Sequence, residues 1–236
     1  MTLNLENEYV KVKKELEEML NLEPEKEKKS IYKSIEIPNR SIIKSLENHM
    51  QKIYDYDELL FNHSIKVSMI GAFIARNLGL TPDEIDELYI AGALHDIGKI
   101  CIPKEILNKT EKLDENERKI IEAHPAYSIW YLTVKESEEK TQYYSYKILD
   151  MVRYHHEEVN GHGYPYGLQS NQINIGTKIL SVADKLEAYG AKRSYHDART
   201  LSQCIEFIEL QGEEGVLDSK LTTAVVFVIK GNLGKE

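Results

Sequence analysis

Residues 155–165 read HHEEVNGHGYP, two adjacent histidines followed at once by a loop with two glycines and a proline. Imidazole is the commonest side-chain ligand for a transition metal. Adjacent side chains on a helix diverge by about 100°. His155 and His156 are therefore expected to reach two neighbouring ions rather than to close on one. The plainer alternative is one capping histidine and one surface histidine ahead of an ordinary turn. His63, His124, Asp184 and the adjacent pair His95 and Asp96 lie on other segments that can converge on the same place.

Apolar periodicity places these residues on helices. Leu5, Tyr9, Val12, Leu16 and Met19 recur at steps of four and three, which predicts an amphipathic first helix. It is expected either to pack on the main domain or to contact a second copy or a regulatory partner. A charged stretch over 23–30, with Pro24, reads as a linker. The organisation expected is therefore a helix and linker over 1–30 and a larger domain over 31–236. A second striped helix is expected over about 40–54, and a third from Glu58 to Leu78 carries His63. On its own, a histidine in such a stripe reads as a core residue. Thr81, Pro82 and Glu84 form a helix start with a capping box, and that helix runs to His95 and Asp96, where Gly98 lets the chain turn away. Asp114 starts another helix that delivers His124, and Pro125 restarts one. A helix over 141–156 presents the paired histidines, and Ile175 to Ala188 carries Asp184. Two helices follow near 200–211 and 218–230. Val225 to Ile229 favours strand by propensity, but a strand isolated among helices has no partner, so helix is expected. The fold class expected is all-α, a helical bundle with its site in the core.

His95, Asp96, Gly98 and Lys99 stand as in the HD signature of metal-dependent phosphohydrolases, in the run HDIGK. With HHE at 155–157 and GHGYP at 161–165, the chain resembles the HD-GYP subgroup, from about His63 to the C-terminus. The resemblance implies hydrolysis of cyclic di-GMP to a linear dinucleotide, and on to GMP in some members. It also implies the metal ligands His63, His95, Asp96, His124, His155, His156 and Asp184, with Asp96 bridging two ions. The catalytic residues are then Asp96 and Lys99. Lys99, Gly163, Tyr164, Pro165 and Arg193 would meet the substrate. Leu59 stands where some members carry a glutamate for a third metal, so two ions are expected. Glu187, Asn160 and His196 also depart from common family residues.

Five imidazoles and two carboxylates are too rich in nitrogen for magnesium or calcium. They suit two divalent transition metal ions, iron or manganese first, zinc or nickel next. Two such ions can generate hydroxide near neutral pH and stabilise both oxygens of an in-line displacement at phosphorus. Their four positive charges exceed the three negative ones of Asp96, Asp184 and a hydroxide, which suits an anionic phosphodiester. Two other readings compete: an HD phosphohydrolase acting on another cyclic dinucleotide, a nucleotide or an alarmone, and a sensor that binds cyclic di-GMP without cleaving it.

Composition narrows the field further. At 42% hydrophobic and 29% charged residues, the 236-residue chain reads as soluble and globular. Its net charge of −9 and lack of a polybasic block argue against duplex nucleic acid as a partner. No apolar run approaches the roughly 18 residues of a membrane span, and no signal peptide opens the chain, so a cytoplasmic location is expected. Cys101 and Cys204 make no disulfide framework, and Cys101 is expected to be buried.

Overall fold

The structure, a computed structural model, describes residues 3–19, 35–135, 144–191 and 198–232. The linker expected over 23–30, the first residues of the helix expected from 141, and Arg193 and His196 lie outside them. Among the described residues the architecture is all-α, with one isolated antiparallel bridge between Asn160 and Gln169.

Helix α1 (Leu5–Met19) buries the stripe of Leu5, Tyr9, Val12 and Leu16 in the same core as the rest of the chain. The Tyr9 hydroxyl lies 3.3 Å from Ser68 Oγ in that core. At about 1.5–3 kcal/mol for each large apolar side chain fully buried, this face belongs to the chain's own interior. Helices α2 (Arg40–Tyr56) and α3 (Glu58–Asn77) follow, each opened by a side-chain cap, from Asn39 and Asp57. Helix α4 (Pro82–Leu94) begins with the expected box: Thr81 and Glu84 satisfy each other's backbone N–H groups. Helix α3 packs mainly on α4 and on α9 (Ile175–Gly190), and these helices carry four of the seven expected donors, His63, His95, Asp96 and Asp184, on their buried faces or just past their ends.

After α4 the chain tightens into a 3₁₀ turn over Ile97–Cys101, then short helices α5 (Lys104–Leu107), α6 (Glu115–Glu122) and α7 (His124–Trp130). Gly98 serves a purpose other than the turn expected of it. A Cβ there would lie 2.3 Å from both the His124 carbonyl oxygen and the Ser128 nitrogen, so glycine lets the 3₁₀ turn lie directly on α7. Cys101 is exposed, contrary to expectation, because it ends this turn on the outer side. Helix α8 (Tyr146–Tyr154) starts at a Ser145 cap, and α10 (Leu201–Glu213) and α11 (Ser219–Asn232) close the bundle. Val225 to Ile229 is helical, with Val225, Val226, Val228 and Ile229 buried: tertiary burial overrides strand propensity.

Candidate metal centre

Three helices end at this centre, and a histidine follows the end of each. His95 follows α4, His124 follows the last turn of α6, and His155 follows α8. The last carbonyls of a helix have no intrahelical partner. Each imidazole turns back to one: His95 Nδ1 donates to the Gly92 carbonyl at 2.8 Å, His124 Nδ1 to Ile121 at 2.7 Å and His155 Nδ1 to Val152 at 2.8 Å. A carbonyl can only accept, so the proton sits on Nδ1 and the Nε2 lone pair faces inward in all three. Helix C-termini also carry roughly half a negative charge each, so three of them converging favour a cation.

The inward atoms form two sets. Donor atoms of Asp96, His124, His155 and His156 lie within 4.8 Å of one another, as do those of His63, His95 and Asp184. Asp96 faces both. Its Oδ1 is 3.0 Å from His124 Nε2 and 3.8 Å from His155 Nε2, while its Oδ2 is 3.5 Å from His63 Nε2 and 3.3 Å from His95 Nε2. Asp184 straddles the sets too, with Oδ1 3.2 Å from His63 Nε2 and Oδ2 4.0 Å from His156 Nδ1. Contrary to the spacing argument, His155 and His156 fall in one set. His155 caps α8, whose last residue is Tyr154, and the two rings lie 4.1 Å apart, close enough for one ring nitrogen of each to face the same set.

The donor set fits metal ions. Burial pushes the His155 imidazole well below its ordinary value, the His124 ring below it, and His156 down to about 3. These rings are neutral, and with Nδ1–H committed to the helix end, bare lone pairs of His124 and His155 meet at 3.2 Å. The buried Asp96 Oδ1 has no hydrogen-bond partner among the described residues. Lone pairs facing one another at such distances are balanced by a cation between them, and isolated buried carboxylates are costly without one. Both carboxyl groups are ready for that role. Burial works against ionisation, but His95, Lys99 and His124 hold Asp96 well below the carboxylate range, and His63, His95 and His156 do the same for Asp184. His63 differs from the other rings. Burial pulls it down, yet Asp184 and Glu187 outweigh that and raise it to about 10, so a metal bound there displaces a proton.

The surroundings hold these groups in place. Ser128 Oγ accepts from Gly98 N at 2.8 Å and donates to the His95 carbonyl at 3.0 Å, and Ser181 Oγ donates to the His155 carbonyl at 2.6 Å. Lys99, one turn beyond Asp96, places Nζ 2.5 Å from Asp96 Oδ2. The Tyr164 ring stacks on His156 with centroids 4.7 Å apart and stands edge-on to His124. Burial, with Asp96 and Asp184 nearby, raises its phenol far above the usual value, so it stays a neutral hydroxyl. Gly163 permits the loop to press on the Glu157–Glu158 backbone, where a Cβ would come within 2.3 Å of Glu158 N, and Pro165 is exposed beyond it.

Two contributors were not assigned from sequence. Glu157, buried, accepts the Tyr166 and Leu168 N–H groups at 2.7 and 2.8 Å and so ties down the glycine loop. Glu187 lies 2.5 Å from His63 Nδ1. The adjacency of Glu157 to the paired histidines was a usable signal. Glu187 was marked only as a departure from a common family residue, one turn after Asp184.

A family model described as "HD domain" matches residues 47–221. This chain belongs to the HD domain family. It is 31% identical over 169 residues to a 3'3'-cGAMP-specific phosphodiesterase 1 of Vibrio cholerae, covering 72% of this chain and 38% of that protein. It is 32% identical over 151 residues to a cyclic di-GMP phosphodiesterase of Thermotoga maritima, covering 62% of this chain and 39% of the relative. The chain thus spans under two fifths of the length of these relatives. The phosphodiesterase PgpH HD domain of L. monocytogenes, solved in complex with cyclic-di-AMP, shares the fold at a TM-score of 0.57 and 18% identity, over 77% of this chain and 93% of that one. No helix among the described residues is long and apolar enough to cross a membrane.

Proposed function

We propose that this HD domain is a metal-dependent phosphodiesterase that opens cyclic di-GMP to a linear dinucleotide. The observation that carries the reading is Asp96, whose two oxygens face two separate sets of donors, as a carboxylate bridging two ions must. His63, His95 and Asp184 would hold one divalent ion and His124, His155 and His156 the other. The nitrogen-rich set suits iron or manganese, then zinc or nickel. Leu59, 77% exposed one turn before His63, offers no further donor, which supports two ions rather than three. When bound, such ions polarise a phosphoryl oxygen and bring the ionisation of a water near neutral pH.

The chain's own residues supply the rest. Asp96 and Asp184, ionised and buried, fix the charge and spacing of the pair. Lys99, the second catalytic residue, shifts its Nζ from Asp96 towards the non-bridging phosphate oxygens, where negative charge concentrates. Gly163, Tyr164 and Pro165 form the wall for the nucleotide, and Arg193 joins the phosphate contacts by resemblance alone. Tyr164, already stacked on His156, stays neutral and offers a hydroxyl donor. A cytoplasmic location accords with a soluble dinucleotide substrate.

Relatives named for cyclic di-GMP and for 3'3'-cGAMP give a second substrate a specific claim. Chromatography of products from cyclic di-GMP, 3'3'-cGAMP and cyclic di-AMP, with and without chelator, tests the reading. Fastest release of the linear guanine dinucleotide is expected; a clear preference for the hybrid would move the assignment to the second substrate. Dinucleotide binding with no cleavage by the metal-loaded protein would make it a sensor.

Base–aromatic stacking contributes about 1–3 kcal/mol, so Tyr164→Ala is expected to raise KM roughly tenfold or more while metal content stays unchanged. Tyr164→Phe should keep most of that binding. Loss of metal from the alanine variant would instead make Tyr164 a prop for His156.

A further inference from the structure

His95, His124 and His155 are each oriented by a carbonyl of their own helix end, three residues back. His63 has no such anchor. It sits one turn inside α3, where the backbone carbonyls belong to the helix ladder. Its Nδ1 is met by Glu187 Oε2 at 2.5 Å, from α9, a helix 124 residues away in sequence. Among the described residues no other side chain bonds this carboxylate. Glu187 also lines a mostly apolar cavity of about 290 Å³ walled by Leu16, Phe73, Ile74 and Ile229.

We propose that Glu187 is the positioning residue of one metal site and makes the two sites unequal. An anionic acceptor on Nδ1 holds the proton there, turns Nε2 towards Asp184 and Asp96, and makes the imidazole a stronger donor. A backbone carbonyl does the first two but carries no net charge. The ion held by His63, His95 and Asp184 therefore depends on a side chain that can be removed, whereas the three other anchors are backbone. The inference rests on His63 being a ligand.

The test is titration of metal-stripped protein with Co²⁺, read by its visible absorption and by calorimetry. The wild type should take up two equivalents. Glu187→Ala should weaken one of them by about 10- to 100-fold and leave the other unchanged. Glu187→Gln still accepts the Nδ1 proton through its amide oxygen, so it should recover orientation and lie between the two. Unchanged affinity for both equivalents in the alanine variant would overturn the proposal. So would equal weakening of both with a fall in Tm, the mark of a merely structural role. A wild type that fails to bind two equivalents would sink the reading of the site itself, and this inference with it.

Discussion

Asp96→Ala is expected to abolish cyclic dinucleotide turnover and to strip the centre of metal. Asp96 presents an oxygen to each donor set at 3.0 and 3.3 Å, so its loss removes a ligand from both sites at once. Several kcal/mol of transition-state stabilisation depend on the metals, which at 1.36 kcal/mol per decade means a loss on the order of 10³-fold or more. The fold should survive. Truncation breaks the Asp96–Lys99 ion pair, but Lys99 is only partly buried and can turn its Nζ to solvent, so no charge is left buried and unpaired. Metal content by mass spectrometry, turnover and Tm together separate the cases. Retained metal with normal activity contradicts the bridging role; lost activity with collapsed Tm makes Asp96 structural.

Gly98→Ala should damage the same centre by a different route. The added Cβ would sit 2.3 Å from the His124 carbonyl oxygen and 2.3 Å from Ser128 N, both backbone atoms that cannot rotate aside. Relief requires α7 (His124–Trp130) to move off the 3₁₀ turn (Ile97–Cys101), which separates His124 from Asp96 and breaks the Gly98–Ser128 hydrogen bond. Overpacking of this kind costs about 1–3 kcal/mol, and at about 2–4 °C per kcal/mol for a domain of this size Tm should fall by roughly 2–12 °C. Metal affinity should fall with it, and the Tm loss should persist in metal-stripped protein, whereas stripped Asp96→Ala should melt close to stripped wild type. A stable Gly98→Ala protein with full metal content would show that the turn and α7 do not need this contact.

The sequence made visible what local chemistry decides. Capping boxes at Thr81 and Asp114 start α4 and α6 where their side chains require, and the buried stripe of α1 follows its spacing. All seven expected donors lie in the two clusters. His95, His124 and His155 follow helix ends, which are local features, whereas His63 and Asp184 lie inside helices and were marked by the family resemblance alone. What stayed hidden depends on distant contacts. Gly98 reads as a turn residue until α7 is laid against it, and Glu187 acquires a role only through His63, 124 residues away. The pairing of His155 and His156 depends on which distant donors, Asp96 and His124, meet them, and neighbours in sequence do not show that.

The most direct test of the central claim is the rate of cyclic di-GMP hydrolysis as metal is returned to stripped protein, equivalent by equivalent, without oxygen. A bridged two-metal centre predicts little turnover up to the first equivalent, a steep rise as the second binds, and loss on chelation. Full activity with one equivalent, or activity that survives complete removal of metal, would contradict it.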